Sequence, residues 1–386
     1  MIDFNQKKIL ILEGYAKQCL PFIKAFRKMG CEVSALCNSK LDVAFASRYT
    51  NHKIKGICDK EKEEETTNQI RDLLKTGRFD AVIPMFDFSS SILAKNKKEF
   101  SSYCKVLAND WDTFVYASDK NKTMEICMEN NIPCPTTILS VASIGDILAS
   151  NISFPIVVKP KTAYGAIGFK IIKTKEELEL LFGQSFFEPS QYVFQEYIPQ
   201  TDIQYECAMF LDNNHEVKTS VVFSKNRWFP INGGSSTFNI TVDRPDIIDQ
   251  CAKLLKAINW IGPADIDLIQ DPRDNLAKIM EINPRVSGSV KITFLAGTNQ
   301  ALQMLELLYD QEVTKYSDYK LDQRLRCSQT DFLWFIKSPK RFKVKPSYFN
   351  RRHTSDQIFS WDDPLPWFSF SLQKLTTYKK EMKKRK

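Results

Sequence analysis

Glu281-Ile282-Asn283-Pro284-Arg285 closes one apolar run of this chain, and Asp267 interrupts another, Ala264 to Ile269. The polar turn Asp271-Pro272-Arg273-Asp274-Asn275 separates the two. A hairpin places the runs side by side, and Glu281 and Asn283, two apart, face the same way. Two carboxylates and an amide oxygen on one sheet face suit a hard, oxygen-loving cation such as Mg2+. Arg285, at the strand end, is aimed at the same region and can clamp a phosphate. An exposed polar face on an ordinary hairpin is the plainer alternative.

A second constellation lies upstream. Lys159 closes the apolar strand Ile156-Val157-Val158, and Gly165 and Gly168 follow within nine residues. A loop of this kind can turn its amides toward phosphate oxygens, although a simple hairpin with an exposed lysine would look the same. Nucleoside triphosphate chemistry needs cations and N–H groups around the phosphates and oxygen ligands for magnesium. The chain supplies both, in order.

The elements that must position these residues follow a readable rhythm. Lys8 to Leu12, Glu32 to Cys37 and Ala81 to Pro84 read as strands, and Cys19 to Met29 and the region around Ile70 to Leu74 as helices, a small parallel α/β unit. Its first turn, Glu13-Gly14-Tyr15-Ala16, lacks Gly-x-Gly-x-x-Gly, which excludes a dinucleotide fingerprint and with it an oxidoreductase reading. A boundary is expected near Trp111 to Ala117, with Ser118 as N-cap of a helix running to Asn130. Strands Ile156 to Lys159, Phe169 to Ile172 and Tyr192 to Glu196, with a helix from Lys175 to Phe182, make a smaller α+β lobe. A larger antiparallel lobe follows, with strands Tyr205 to Leu211, Val217 to Phe223, Ala264 to Ile269 and Ala277 to Ile282, interrupted by a helix from Ile247 to Ile258.

The ordered set Lys120, Lys159 with its loop to Gly168, Gln195-Glu196-Tyr197-Ile198, Glu206, Asp267 and Glu281-x-Asn283-Pro284-Arg285 resembles the ATP-grasp superfamily, in its carbamoyl-phosphate-synthetase-like branch of carboxylate–amine ligases. The resemblance covers roughly residues 1 to 305. It implies an α/β (α+β) fold: a Rossmann-like pre-ATP-grasp domain over 1–113, an ATP-grasp small lobe over 114–195, and a large lobe with the metal site over 196–305. Residues 306–386 are then a C-terminal extension. It also implies roles. Lys120 and Lys159 would hold ATP phosphates under the loop Ala163, Tyr164, Gly165 to Gly168. Gln195, Glu196, Tyr197 and Ile198 would form the linker at the adenine edge, and Glu206 would meet the ribose. Asp267, Glu281 and Asn283 would bind Mg2+, with Mn2+ able to substitute. Arg285 and Lys159 would act on the transferring phosphoryl group. Lys225-Asn226-Arg227 before Gly233-Gly234-Ser235-Ser236 resembles a substrate-side element, in which Arg227, ahead of Lys225, would offset the charge of the incoming carboxylate; a solvated loop is the alternative. Three departures stand out: few glycines in the phosphate loop, Asp267 where glutamate is common, and Asp265 two positions earlier where some relatives carry an arginine, so that Lys225 or Arg227 would supply the missing positive charge.

Composition bounds the rest. Hydrophobic residues are 43% and charged residues 26% of 386, ordinary for a chain with real cores. Ten scattered cysteines without a Cys-x-x-Cys pair argue against disulfides and zinc and fit reduced thiols in a cytoplasmic protein. Only His52, His215 and His353 are available, so acid–base and metal chemistry falls to carboxylates, lysines and arginines. Residues 337–386 hold 14 Lys and Arg against four Asp and Glu, a formal +10 within a total of +8, so the preceding 336 residues carry −2. The body gives no reason to expect nucleic-acid binding. The tail, with Trp361, Trp367, Phe368 and Phe370 ahead of Lys379 to Lys386, reads either as peripheral membrane contact or as aromatics packed on the body with a solvated end. The expected activity is ATP-dependent ligation of a small-molecule carboxylate, amino-acid or glycan-linked, to an amine. Activation of bicarbonate in a carboxylase or carbamoyl-phosphate-type enzyme, and a non-catalytic nucleotide-binding scaffold, are the alternatives. The sequence permits an oligomer.

Overall fold

The computed structural model describes residues 3–162, 168–201, 203–231 and 234–384, with side chains to residue 375. The chain opens with β1 (Lys8–Ile11), α1 (Cys19–Lys28), β2 (Glu32–Cys37), α2 (Val43–Ala46), β3 (His52–Lys55), α3 (Glu63–Lys75), β4 (Ala81–Ile83), α4 (Asp87–Lys95), α5 (Lys97–Phe100) and β5 (Lys105–Val106). Its five strands pair in parallel in the order β3-β2-β1-β4-β5. The central strands are apolar because both faces are covered: Ile9 and Ile11 enter one core, Leu10 and Leu12 another. The stretch read as a boundary is helical, α6 (Trp111–Ser118), and α7 (Lys120–Glu129) follows at once. The cap of α7 is Asp119 in place of Ser118: its Oδ1 accepts from the N–H groups of Asn121 (2.8 Å) and Lys122 (3.4 Å).

A smaller antiparallel sheet comes next, built from β6 (Thr137–Ile138), β7 (Ile156–Pro160), β8 (Lys170–Ile172) and β9 (Tyr192–Glu196), with α8 (Ile144–Leu148) and α9 (Lys175–Phe182). The strand order is β6-β9-β7-β8. Alternation decides its faces: Ile156 and Val158 join Ile172, Leu178 and Phe194 in the core beneath.

The largest sheet contains β10 (Gln204–Leu211), β11 (Val217–Phe229), β12 (Ser235–Thr241), β13 (Gly262–Gln270), β14 (Ala277–Asn283), β15 (Arg324–Arg326) and β16 (Thr354–Asp356). Their order is β14-β13-β10-β11-β12-β15-β16, antiparallel except for the last pair. Helices α10 (Pro245–Ala257), α11 (Lys291–Leu295), α12 (Gln300–Leu308), α13 (Ser328–Lys337) and α14 (Leu365–Lys384) complete the chain. On one face Cys207, Met209, Leu211, Ile266 and Leu268 pack with apolar side chains of α7 and α10. The neighbours of those strand residues must therefore point the other way.

β11 continues six residues beyond its expected end at Phe223, because β12 pairs with it as far as Phe229 opposite Ser235, across bulges at Lys225–Trp228.

The C-terminal residues, expected as a tail, are largely woven into the fold. β15 and β16 widen the large sheet, and the acidic pair before α14 fastens to the helices beside the parallel sheet: Asp362 meets Lys24 at 2.6 Å and Asp363 accepts from the Arg48 N–H at 3.0 Å. All ten cysteines are unpaired. Among the described residues no helix is long and apolar enough to cross a membrane.

Candidate active site

Strand register assembles the site. Glu206 on β10 lies opposite Asp267 on β13, Asp267 opposite Glu281 on β14, and Asp265 opposite Asn283. Four carboxylates thus share the face that the apolar core leaves over. Glu206 and Asp265 are buried, and charges gathered out of water must be answered by counter-charge or by protons. Both answers are present. Lys225 of β11 contacts Asp267 directly and lies 3.2 Å from Glu206. Burial disfavours its charge, but Asp267 and Glu206 outweigh burial and hold the ammonium protonated. Burial, opposed by Lys225, pushes the Asp267 carboxyl up to about 6. Burial, then Glu206 and Asp267, push the Asp265 carboxyl well above the usual carboxylate range, with Arg285 opposing. Glu206 resists its burial through Lys225 and hydrogen bonds from Asp265 and Ser287, so it is held below the usual carboxylate range.

Two lysines approach from the smaller lobe. Lys120, in the first turn of α7, reaches Glu281 Oε2 at 3.0 Å, and its N–H donates to the Lys161 carbonyl at 3.2 Å. Lys159, at the end of β7, is only 7% exposed. Burial brings its ammonium down to about 8, with Glu281 and Asp267 opposing and Lys120 reinforcing the fall. Among the described residues it has no ion pair within 4 Å. Against their burial, Lys120 and Lys159 keep Glu281 ionised. Gly168 holds φ +75°, and a Cβ there would lie 2.8 Å from Pro160 Cγ, so only glycine suits this end of the loop. Ala163, Tyr164 and Gly165, expected over the phosphates, lie outside the described residues, as does Gly233.

Arg285 ties the site to the parallel sheet and its helices. Its Nη2 donates to Asn283 Oδ1 at 2.8 Å and its Nε to Asp87 Oδ2 at 3.2 Å, with Phe86 beneath the guanidinium. Asp87 opens α4, at the C-terminal edge of the parallel sheet. It was not foreseen, since 198 residues separate it from Arg285; an acidic residue at the end of a β–α turn was the signal available.

At the lobe junction, Gln195 is buried and donates through Nε2 to Thr137 Oγ1 at 2.7 Å. The Glu196 carboxylate accepts from the Thr136 N–H (2.9 Å) and pairs with Arg273 (2.7 Å), leaving backbone groups as what this segment can offer a ligand. Ile198 is buried, and Tyr197 lines a recess of about 460 Å³ with Glu196, Phe154 and Arg273.

Two of the expected residues already have partners within the protein. Glu206, assigned to a ribose, joins the carboxylate cluster. Arg227 does not reach the cluster: the β11 bulge turns it toward α13, where it is 1% exposed and forms a two-pronged pair with Asp331 (2.7 and 3.0 Å) against the Phe238 ring. Lys225, two residues earlier on β11, faces the carboxylates instead.

Comparison with known proteins bears on this arrangement. The D-aspartate ligase of Enterococcus faecium (strain Aus0004) is 26% identical over 234 residues, 56% of this chain and 55% of that protein, so the chain spans about half the length of that relative. Biotin carboxylase from Campylobacter jejuni, solved with β,γ-ATP, superposes with a TM-score of 0.70 at 17% identity, covering 83% of this chain and 75% of that one. An L-amino acid ligase from Bacillus licheniformis gives 0.60 at 18%, covering 79% and 74%. At these identities the solved structures show a common fold. Residues 117–289, which contain every lysine and carboxylate of the cluster, match the family model for this fold, and the chain carries an ATP-grasp domain.

Proposed function

We propose that this chain is an ATP-dependent ligase that activates a carboxylate as an acyl phosphate for attack by an amine. The observation that carries the reading is Lys159, a buried ammonium without an ion pair among the described residues, beside Lys120 and facing Asp267 and Glu281. A polyphosphate would supply the missing negative charge. Lys120 and Lys159 would hold the phosphates, the backbone of Glu196 to Ile198 the adenine, and Arg285 the charge on the transferring group.

The donor set fits a divalent cation. Asp267 and Glu281 oppose one another, and Asn283 adds a neutral oxygen further along the same strand. Mg2+, or Mn2+ in its place, would be held there and would supply charge neutralisation between the phosphates and the carboxylates.

The reaction asks the protein for positioning and counter-charge. An oxygen of the substrate carboxylate attacks the γ-phosphorus, the bridging P–O bond breaks and ADP leaves. The amine nitrogen then attacks the acyl carbon, the C–O bond breaks, phosphate leaves and the nitrogen gives up its proton. Lys225 is the cation we assign to the approaching carboxylate. The resemblance to a D-aspartate ligase makes amino acids the first carboxylates to try, glycan-linked acids the next. ADP and phosphate release, followed with Mg2+ across amino acids, hydroxy acids and bicarbonate, each with and without amines, tests the proposal. Stimulation by a carboxylate and amine together is expected; stimulation by bicarbonate alone would replace this reading with a carboxylating one, and tight ATP binding without ADP release with a scaffold.

A further inference from the structure

Helix α14 has two faces of opposite use. On one, Phe370 is buried, Ser369 donates to the Leu41 carbonyl at 2.8 Å, and Gln373 donates to Asp42 at 3.2 Å, so this face already holds the helix against the first domain. On the other, Leu365, Phe368, Leu372 and Leu375 are 61%, 58%, 51% and 79% exposed. At 100° per residue these four fall within an arc of about 80°, a continuous apolar stripe opposite the packed face. Trp361, just before the helix, is 90% exposed. Scattered exposed apolar residues need no explanation, but an aligned stripe marks a surface that something else covers.

The charge beside the stripe says what covers it. The same sequence runs on into Lys374, Lys379, Lys380, Lys383, Lys384, Arg385 and Lys386, against Glu381 alone. The nearest acids upstream are taken: Asp362 by Lys24 and Tyr49, Asp363 by Ser47 and Arg48. A second copy of the chain would cover the stripe but bring a like-charged run with it. A bilayer rich in anionic headgroups takes both features, apolar side chains below the headgroups and ammonium groups among them.

We propose that α14 lies in the plane of an anionic membrane surface, with Leu365, Phe368, Leu372 and Leu375 inserted and the following lysines at headgroup level. The inference stands apart from the chemistry assigned to the ATP-grasp domain and holds or fails without it.

Vesicle flotation of the full chain tests it. Vesicles of phosphatidylcholine with about 30% phosphatidylglycerol should bind the protein at least about tenfold more tightly than phosphatidylcholine alone, with the difference shrinking at high salt. Phe368→Glu with Leu372→Glu should lower the anionic-vesicle affinity at least about tenfold while circular dichroism and the melting temperature stay unchanged. Charge reversal at Lys379 and Lys383 should lower it independently. No binding to anionic vesicles, or equal binding by both sets of variants, overturns the proposal. So does a dimer that Phe368→Glu and Leu372→Glu dissociate in a protein that ignores vesicles, since the occupant is then a second copy.

Discussion

At Lys159 burial and charge pull in opposite directions, and a ligand changes the balance. Its ammonium is brought down to about 8 from 10.5, so the unfolded chain holds this proton more tightly than the folded one. The resulting penalty is full below pH 8 and fades as pH rises from about 8 to 10.5. Phosphates beside the ammonium would restore its ordinary affinity for a proton. ATP binding at pH 8 should therefore take up as much as about half a proton, read by calorimetry in two buffers of different ionisation enthalpy; in Lys159→Met the buffer dependence should vanish. Glu13 gives the opposite sign. Burial, opposed by the Ser89 and Tyr15 hydroxyls and reinforced by Asp87, raises its carboxyl from 4.5 to about 7. The folded protein then binds the proton more tightly, so stability is full below pH 4.5 and declines toward pH 7, by roughly 3 kcal/mol. Glu13→Gln should raise the urea midpoint at pH 8 and leave it nearly unchanged at pH 5. Asp267, Glu281, Asn283 and Arg285 were legible because a hairpin makes their grouping local. Lys225 was legible as a cation but not its pairing with Glu206 and Asp267, and Asp87 and Ser287 come from other strands and turns that only register and packing bring in.

Elements set how well those residues are aimed. Lys120 occupies the first position of α7, and Asp119 fixes that turn by accepting two backbone N–H groups. Asp119→Ala should cost about 1 kcal/mol. Because the same turn carries the Lys120–Glu281 pair, ATP affinity should also fall, whereas loss of a helix cap remote from the site would leave calorimetric affinity alone. The strands read from the sequence, such as β2 and β9, are those whose apolar content alone specifies them. β5, β15 and β16, two or three residues each, carry no period long enough to read. β12 was hidden for another reason: its Ser235-Ser236-Thr237 start, behind Gly233 and Gly234, has the composition of a loop, and pairing with β11 makes it a strand. The extension of β11 has the same cause, and its bulges decide that Lys225 faces the carboxylates and Arg227 does not.

On the scale of the whole molecule, the segment that composition marks as a basic tail holds the large sheet's edge. Asp331 of α13 receives Arg227 from β11, lies 2.6 Å from Arg326 Nε of β15, and accepts from the Thr237 hydroxyl of β12 at 2.9 Å. Arg227 and Asp331 are fully buried, and the rings of Phe238, Trp334 and Tyr348 close over the guanidinium of Arg227. Net charge could not reveal this, because one aspartate 104 residues from its arginine is invisible in a count. Two buried guanidinium groups depend on a single carboxylate, so the pair matters less for what it adds than for what its loss leaves unpaired. Asp331→Asn should cost roughly 3–5 kcal/mol in urea denaturation. Replacing both partners, Arg227→Met with Asp331→Leu, should cost clearly less than the two single changes summed, the mark of a coupled pair. If the two costs simply add, Asp331 is not what holds α13 to the sheet, and α13 must owe its place to the packing of Trp334 and its neighbours.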